Sequence, residues 1–223
     1  MMKKTLLALA VMAATAGAQA AVVSFDYGMP LALTTTEINQ TGSLGLFDSG
    51  LGTLTGASIE VFGGALFSFS GRNTAQQAQN SNITASTTLL WSTSLGALTP
   101  FLTDAIALSA SSGIQNYAVG QTLSFGPIAQ GSSNVDDLSF ILGSLQAVGG
   151  GNFNVSCESL SGLSVVGGGG NISTTQSTEA GCGARIIYTY DQATTQVPEP
   201  ATLSLLGLAL AGVGVATRRR KSA

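Results

Sequence analysis

"ASIEVF" (Ala57–Phe62) and "ALFSFSG" (Ala65–Gly71), only two residues apart, decide the fold class. In the first block Ile59 and Val61 share a face opposite Ser58 and Glu60; in the second, Phe67 and Phe69 share one. A period of two is that of a β-strand, whose successive side chains point to opposite faces. The same period recurs in "NFNVSC", where Phe153, Val155 and Cys157 alternate with Asn152, Asn154 and Ser156. It recurs in "ARIIYTY", through Ile186, Tyr188 and Tyr190, and in "DDLSFIL", through Leu138, Phe140 and Leu142. Gly149–Gly151 and Gly167–Gly170 read as turns between short strands. The polar "NTAQQAQN" from Asn73 lacks apolar periodicity and reads as a loop. This pattern predicts an all-β body, an antiparallel β-sandwich. A β-solenoid would show a fixed repeat period, and none is present.

The two ends of the chain read differently. Residues 1–20, MMKKTLLALAVMAATAGAQA, have the order of a secretory signal peptide. Lys3 and Lys4 form its basic start, Thr5–Ala14 its apolar run, and Ala18-Gln19-Ala20 an A-x-A cleavage site, so the mature chain is expected to begin at Ala21. At the other end, Ala201–Thr217 is uncharged and has no polar face. As a helix it would be about 25 Å long, near the lower limit for spanning a bilayer. Arg218, Arg219, Arg220 and Lys221 follow it as a membrane stop, which keeps the C-terminus in the cytoplasm. The expected organisation is therefore a signal peptide over 1–20, an exported body over 21–196, and a tail over 197–223. The tail has a transmembrane helix at about 201–217.

Val197-Pro198-Glu199-Pro200, one hydrophobic helix and a terminal basic cluster together resemble the PEP-CTERM sorting signal of Gram-negative bacteria. The resemblance covers the last 27 residues. It implies export by the secretion machinery, a stay in the inner membrane, and recognition by an exosortase, a membrane-embedded cysteine transpeptidase that cuts near the Pro-Glu-Pro. The prolines would hold that approach extended and accessible. Within the body, "LFDSGLGTLTGASIEV" (Leu46–Val61) and "IIYTY" (Ile186–Tyr190) resemble the choice-of-anchor E domain, with Ser49 where that pattern usually has Pro. Such domains are named for their position ahead of anchoring signals, and the resemblance carries over no catalytic or ligand residues. Read physically, Phe47 and Leu51 would pack, Asp48 would accept a turn hydrogen bond, and Gly50 and Gly52 would permit tight backbone angles.

Composition removes several classes of function. The body keeps two basic residues, Arg72 and Arg185, against ten acids, a net charge of −8. Nucleic-acid binding needs cations to neutralise phosphates, so no nucleic acid is expected as a partner. Histidine is absent from all 223 residues. That excludes Ser-His-Asp and Cys-His hydrolases and His-ligated zinc. Cys157 and Cys182 are the only cysteines. In an exported chain they are expected to pair; a catalytic thiol is the rival, but no histidine exists to serve as its base. Closing their loop is worth about 3.5 kcal/mol by chain entropy.

For an enzyme there remains a pair of carboxylates, as in a glycosidase. Asp136 and Asp137 are adjacent and would point to opposite faces of a strand. A calcium site built on Asp48, Asp136 or Asp137 would have to sit in a loop, and the spacing matches no known calcium loop. Trp91, the single tryptophan, is either a sugar platform or a core residue of the strand "TTLLWSTSL". Asn39, Asn82, Asn154 and Asn171 begin N-x-[ST] sequons, which bacterial signals make poor candidates for glycosylation. The reading that results is a non-enzymatic protein of the cell surface or extracellular matrix, without catalytic residue, cofactor or metal. It would be structural or adhesive in the envelope or exopolysaccharide. A carbohydrate-binding module and a carboxylate-based glycan hydrolase are the alternatives.

Overall fold

The blocks Ala57–Phe62 and Ala65–Gly71 belong to one strand. In the computed structural model, which describes residues 20–193, the backbone runs through Gly63 and Gly64 without a turn, and neither has a positive φ. Twelve strands result: β1 Ala20–Tyr27, β2 Thr34–Thr35, β3 Asn39–Gly45, β4 Phe47–Asp48, β5 Gly52–Asn73, β6 Gln79–Thr93, β7 Ile106–Ser111, β8 Gln115–Tyr117, β9 Thr122–Asp137, β10 Gln146–Ala147, β11 Asn152–Gly167 and β12 Ile172–Gln192. The strands that build the two sheets are thus longer than the short strands expected, β5 reaching 22 residues.

One sheet has the order β1-β12-β5-β9, with β2 also on β12; the facing sheet has the order β3-β11-β6-β7, with β8 also on β6. All these pairs are antiparallel, and a small parallel pair, β4 with β10, stands apart. The connections explain the matching orders. From β5 the chain crosses to β6 in the other sheet through Thr74–Ala78; from β11 it crosses to β12 through Gly168–Asn171. The passages from β1 to β3 and from β8 to β9 do the same. Each layer of the sandwich is therefore an arch, and four arches stack side by side. Glycine makes the tightest crossing possible: Gly167, Gly168, Gly169 and Gly170 all have positive φ, which side chains disfavour.

The inward face of β5 carries Ala57, Ile59, Val61, Gly63, Ala65, Phe67 and Phe69. Gly63 is there because of space: a Cβ would lie 2.3 Å from Leu89 Cδ1 of the facing sheet. At the other end Gly56 pairs with Thr189 but Leu54 pairs with Tyr190, so Thr55 is an extra residue. This bulge shifts the alternation by one and turns Leu54 inward, where it is buried.

Cys157 of β11 and Cys182 of β12 form a disulfide with a Cα–Cα distance of 6.3 Å, and both are buried. The bond joins the two sheets across the core, besides closing the glycine-rich segment between the cysteines. At one end of the core Phe47 packs on Tyr188 and Tyr190, with ring centroids 5.9 and 5.0 Å apart. The Tyr188 hydroxyl donates to the Gly45 carbonyl at 2.9 Å.

Three local expectations are corrected. "DDLSFIL" is not a strand: β9 stops at Asp137, whose carboxylate accepts from the Ser139 amide and hydroxyl and turns the chain. Leu138 is consequently buried while Phe140 is 90% exposed. Leu51 does not pack, because it sits on the Asp48–Leu51 turn and is 45% exposed. Gly50 lacks the positive φ that Gly52 has; it serves instead by letting its backbone approach the Asp48 carboxylate.

Removing the disulfide should loosen one sheet from the other. For a body of this length, ~3.5 kcal/mol corresponds to a melting-temperature drop of about 7–14 °C on reduction or in the Cys157→Ala/Cys182→Ala variant. Thermal melts with and without reductant measure it; an unchanged midpoint would show that the sheets do not depend on the bond.

Candidate functional site

The sorting residues expected from the sequence fall mostly outside the described residues. Ala18, the helix at 201–217, Val197, Pro198, Glu199, Pro200, Arg218, Arg219, Arg220 and Lys221 all lie there. Ala20 and Ala21 are described, and they open β1, paired with Asp191 and Tyr190 near the end of β12. The strand that starts at the expected mature N-terminus thus runs beside the strand that leads to the tail. Cys157 and Cys182 are brought together as expected.

The acids have mainly local duties. Asp26 is ion-paired with Arg185 of the adjacent β12, and Arg185 also lies over the Phe62 ring and opposite Glu60. The Asp48 carboxylate accepts from the amides of Gly50 and Gly149 at 2.8 and 2.9 Å, which ties the turn before β5 to the loop after β10. Glu37 accepts from the Ser161 amide, and Glu158 from the Asn39 side chain. Hydrogen bonds from Ser139 hold Asp137 below the usual carboxylate range.

Asp136 is different. It pairs with the inward-facing Ile59, whereas Asp137 pairs with the outward-facing Ser58, so the two point to opposite faces as expected. Burial first, and the charge of Asp104 second, hold Asp136 above its ordinary range. These two acids come from the loop before β7 and the end of β9, a juxtaposition that spacing in the sequence does not show. Among the described residues no three Asp, Glu or Cys side chains converge as a metal-ligand set.

Trp91 points inward on β6 and is 9% exposed, so it belongs to the core and offers no stacking platform. Asn73, read only as the start of a loop, is fully buried and organises that loop. Its Nδ2 donates to the carbonyls of Gln77, Tyr117 and Ala118, and its Oδ1 accepts from the Ala75 amide.

The outer face of the β3-β11-β6-β7 sheet is the extended surface of the body. Its five strands, β8 included, hold a single charged residue, Glu158. Register places Ser, Thr and Asn in rows across it: Thr41 beside Ser156, Ser164 beside Thr84 beside Ser111, and Asn80 beside Asn116. Neighbours bond to each other across strands, as in Thr41 with Ser156 at 2.7 Å and Ser111 with Asn82 at 2.7 Å. Asn39, Asn82 and Asn154 lie on this face. On the opposite sheet a groove of about 470 Å³ is lined by Ser68, Ser70, Ser124, Phe125 and Thr175 among others, with no ionisable side chain. Neither surface presents an acid–base pair.

Residues 196–221 match the PEP-CTERM protein-sorting motif. The chain therefore carries the signal of an exported protein that an exosortase sorts to the cell envelope or surface. No curated protein matches the chain. Two solved structures of infectious bursal disease virus align with it. The Gx strain shows 12% identity over 79% of this chain and 37% of its own, with a TM-score of 0.18. The Gt strain shows 11% identity over 86% and 47%, with a TM-score of 0.14. The chain spans less than half of either viral chain, and likeness at this level bears on neither fold nor function.

The acid pair gives the body a pH signature. A carboxyl raised in the folded state binds its proton more tightly there than in the unfolded chain, so ionised Asp136 costs stability above its folded pKa. That cost disappears as pH falls through it. Asp136→Asn should therefore raise the melting temperature at neutral pH and not in acid. In a carbon-13 carboxyl titration, Asp104→Asn should lower the Asp136 midpoint only partway, because burial remains. An Asp136 midpoint at or below 3.8 would contradict the arrangement.

Proposed function

We propose that the exported body is a structural or adhesive component of the envelope or exopolysaccharide and not an enzyme. The observation that carries this reading is the outer face of the β3-β11-β6-β7 sheet, whose strands hold one charge among rows of hydroxyls and amides interspersed with exposed Leu90, Leu160 and Val166. A hydrogen bond to such a group contributes about 0.5–1.5 kcal/mol net, so binding through this face relies on many contacts along a polymer. A neutral or weakly charged glycan suits it better than a polyanion, because the body itself is acidic. Catalysis would have to rest on the Asp104/Asp136 pair, which belongs neither to that face nor to the groove on the opposite sheet.

The remaining parts of the proposal concern the ends and the ancestry of the body. The signal peptide is removed after Ala20; the helix at 201–217 holds the precursor in the inner membrane until the exosortase acts near Val197–Pro200. The body resembles the choice-of-anchor E domain. The contact of Phe47 with Tyr188 and Tyr190 supports that resemblance, since it joins the two sequence blocks on which it rests. No nucleic acid, cofactor or metal has a role.

Placing two charges in the field tests the adhesive reading. Thr84→Glu/Thr88→Glu alters two side chains of the outer face and none in the core. It should weaken retention on the producing cells' extracellular polysaccharide about tenfold, the equivalent of ~1.4 kcal/mol, with an unchanged melting temperature. Asp136→Asn should leave retention as it is. Full retention in the double variant, or loss of the surface phenotype in Asp136→Asn together with release of reducing sugar by the wild type, would replace the adhesive reading with the hydrolase.

A further inference from the structure

We propose that the β1/β3 side of the body is a self-association edge at which two copies of this chain join. The argument begins with the stack of arches. β1 ends one sheet and β3 ends the other, and no described strand pairs with the outer edge of either. Both edges belong to the same arch, so they lie on one side of the sandwich, separated by the roughly 10 Å between packed sheets. An extended peptide could satisfy one such edge. Satisfying both at once requires a partner with two edges at that same separation, and a second copy of this layer has them.

The two sides of the body differ in how they are guarded. Natural edge strands are protected by Lys, Pro, bulges or unpaired charges. β1 (AAVVSFDY) and β3 (NQTGSLG) contain no Lys, Arg or Pro, and their one charge, Asp26, is neutralised by Arg185 of the neighbouring strand. Val22 on β1 is 64% exposed, and the rings of Phe25 and Tyr27 are only partly buried at the open side of the core. On the far side the β7 edge is also free of charge and Pro but only six residues long, whereas the longer β9 edge contains Pro127, which has no amide hydrogen to offer. The register of β9 against β5 is broken between Phe67 and Phe69, and its end carries Asp136 and Asp137 with Asp104 close by. Two β9 sides brought together would oppose acids to acids. With one side open along both edges and the other guarded along its longer edge, pairing closes as a two-fold dimer and does not propagate into a fibre.

Size sets the strength. The two strands offer eight and seven residues, fewer than the roughly 20–30 per side of a standard stable interface. Such a pair is weak in dilute solution and forms where copies are concentrated, as on a membrane or in a matrix.

Cross-linking tests this in the full chain. The native cysteines are both in the disulfide, so an added cysteine is the sole reactive thiol. Ser24→Cys sits mid-strand and exposed on β1; Ala129→Cys sits exposed on β9. With a short bis-maleimide applied to membranes of producing cells, Ser24→Cys should give a species of twice the chain mass and Ala129→Cys should not. Equal cross-linking at both positions, or none at Ser24→Cys, would overturn the proposal. Independently, the processed protein should sediment as a concentration-dependent dimer, and Val22→Lys/Ser24→Lys should be monomeric with the same melting temperature. A wild type that is monomeric at every concentration, or a lysine variant that still dimerises, would overturn it equally.

Discussion

The middle of the sandwich is held by one line of contacts that crosses both sheets. Gly63 of β5 pairs with Cys182 of β12, Cys182 is bonded to Cys157 of β11, and Cys157 pairs with Trp91 of β6. Gly63 has no side chain, and Leu89 of the facing sheet fills the space that one would take. The remaining architecture follows from this closeness. Strands that lie face to face across the core are joined by arches, so register fixed at the disulfide is carried along β11 and β12 together. Those two strands then set the register of β6 and β5, which they flank.

Alternation made much of this legible. Ile59, Val61, Phe67, Phe69, Phe153, Val155, Ile186 and Tyr188 are inward as their period requires, and two cysteines in an exported chain are paired. What alternation could not show was the role of each glycine. Gly63 and Gly64 look like a break in the sequence and are mid-strand: Gly63 is dictated by Leu89, 26 positions away, and Gly64 by Leu31 and Leu33 on the opposite face. Gly167–Gly170 do mark a turn, but nothing local says that the chain changes sheet there. Phe140 fails its pattern because the Asp137 carboxylate captures Ser139 and ends the strand. The Asp104–Asp136 juxtaposition was illegible for the same reason as the Gly63–Leu89 contact: both are products of tertiary placement.

Function divides between the ends and the body. The tail names a destination, the cell envelope or surface, through its sorting motif. In the proposed function the body contributes surfaces more than chemistry. Half of its ten acids are spent on turns, an ion pair and amide contacts, and one sheet face is nearly free of charge. Such a surface suits repeated weak contacts, as in the proposed roles in adhesion and in pairing through the β1/β3 side. The two surfaces are distinct, so a copy could use both at once.

The claim on which the rest stands is that β11 and β12 form an arch between sheets and not a hairpin within one. Cross-strand Hα and amide nuclear Overhauser effects in the isotope-labelled protein decide it. The arch predicts contacts from β12 to β5, such as Thr174 with Gly71, and from β11 to β6, such as Val165 with Ile83. A hairpin would instead connect Val165 and Val166 directly to Ser173 and Thr174 in a continuous ladder. That result would contradict the architecture, the sheet-to-sheet role of the disulfide, and the two-edged side built from β1 and β3.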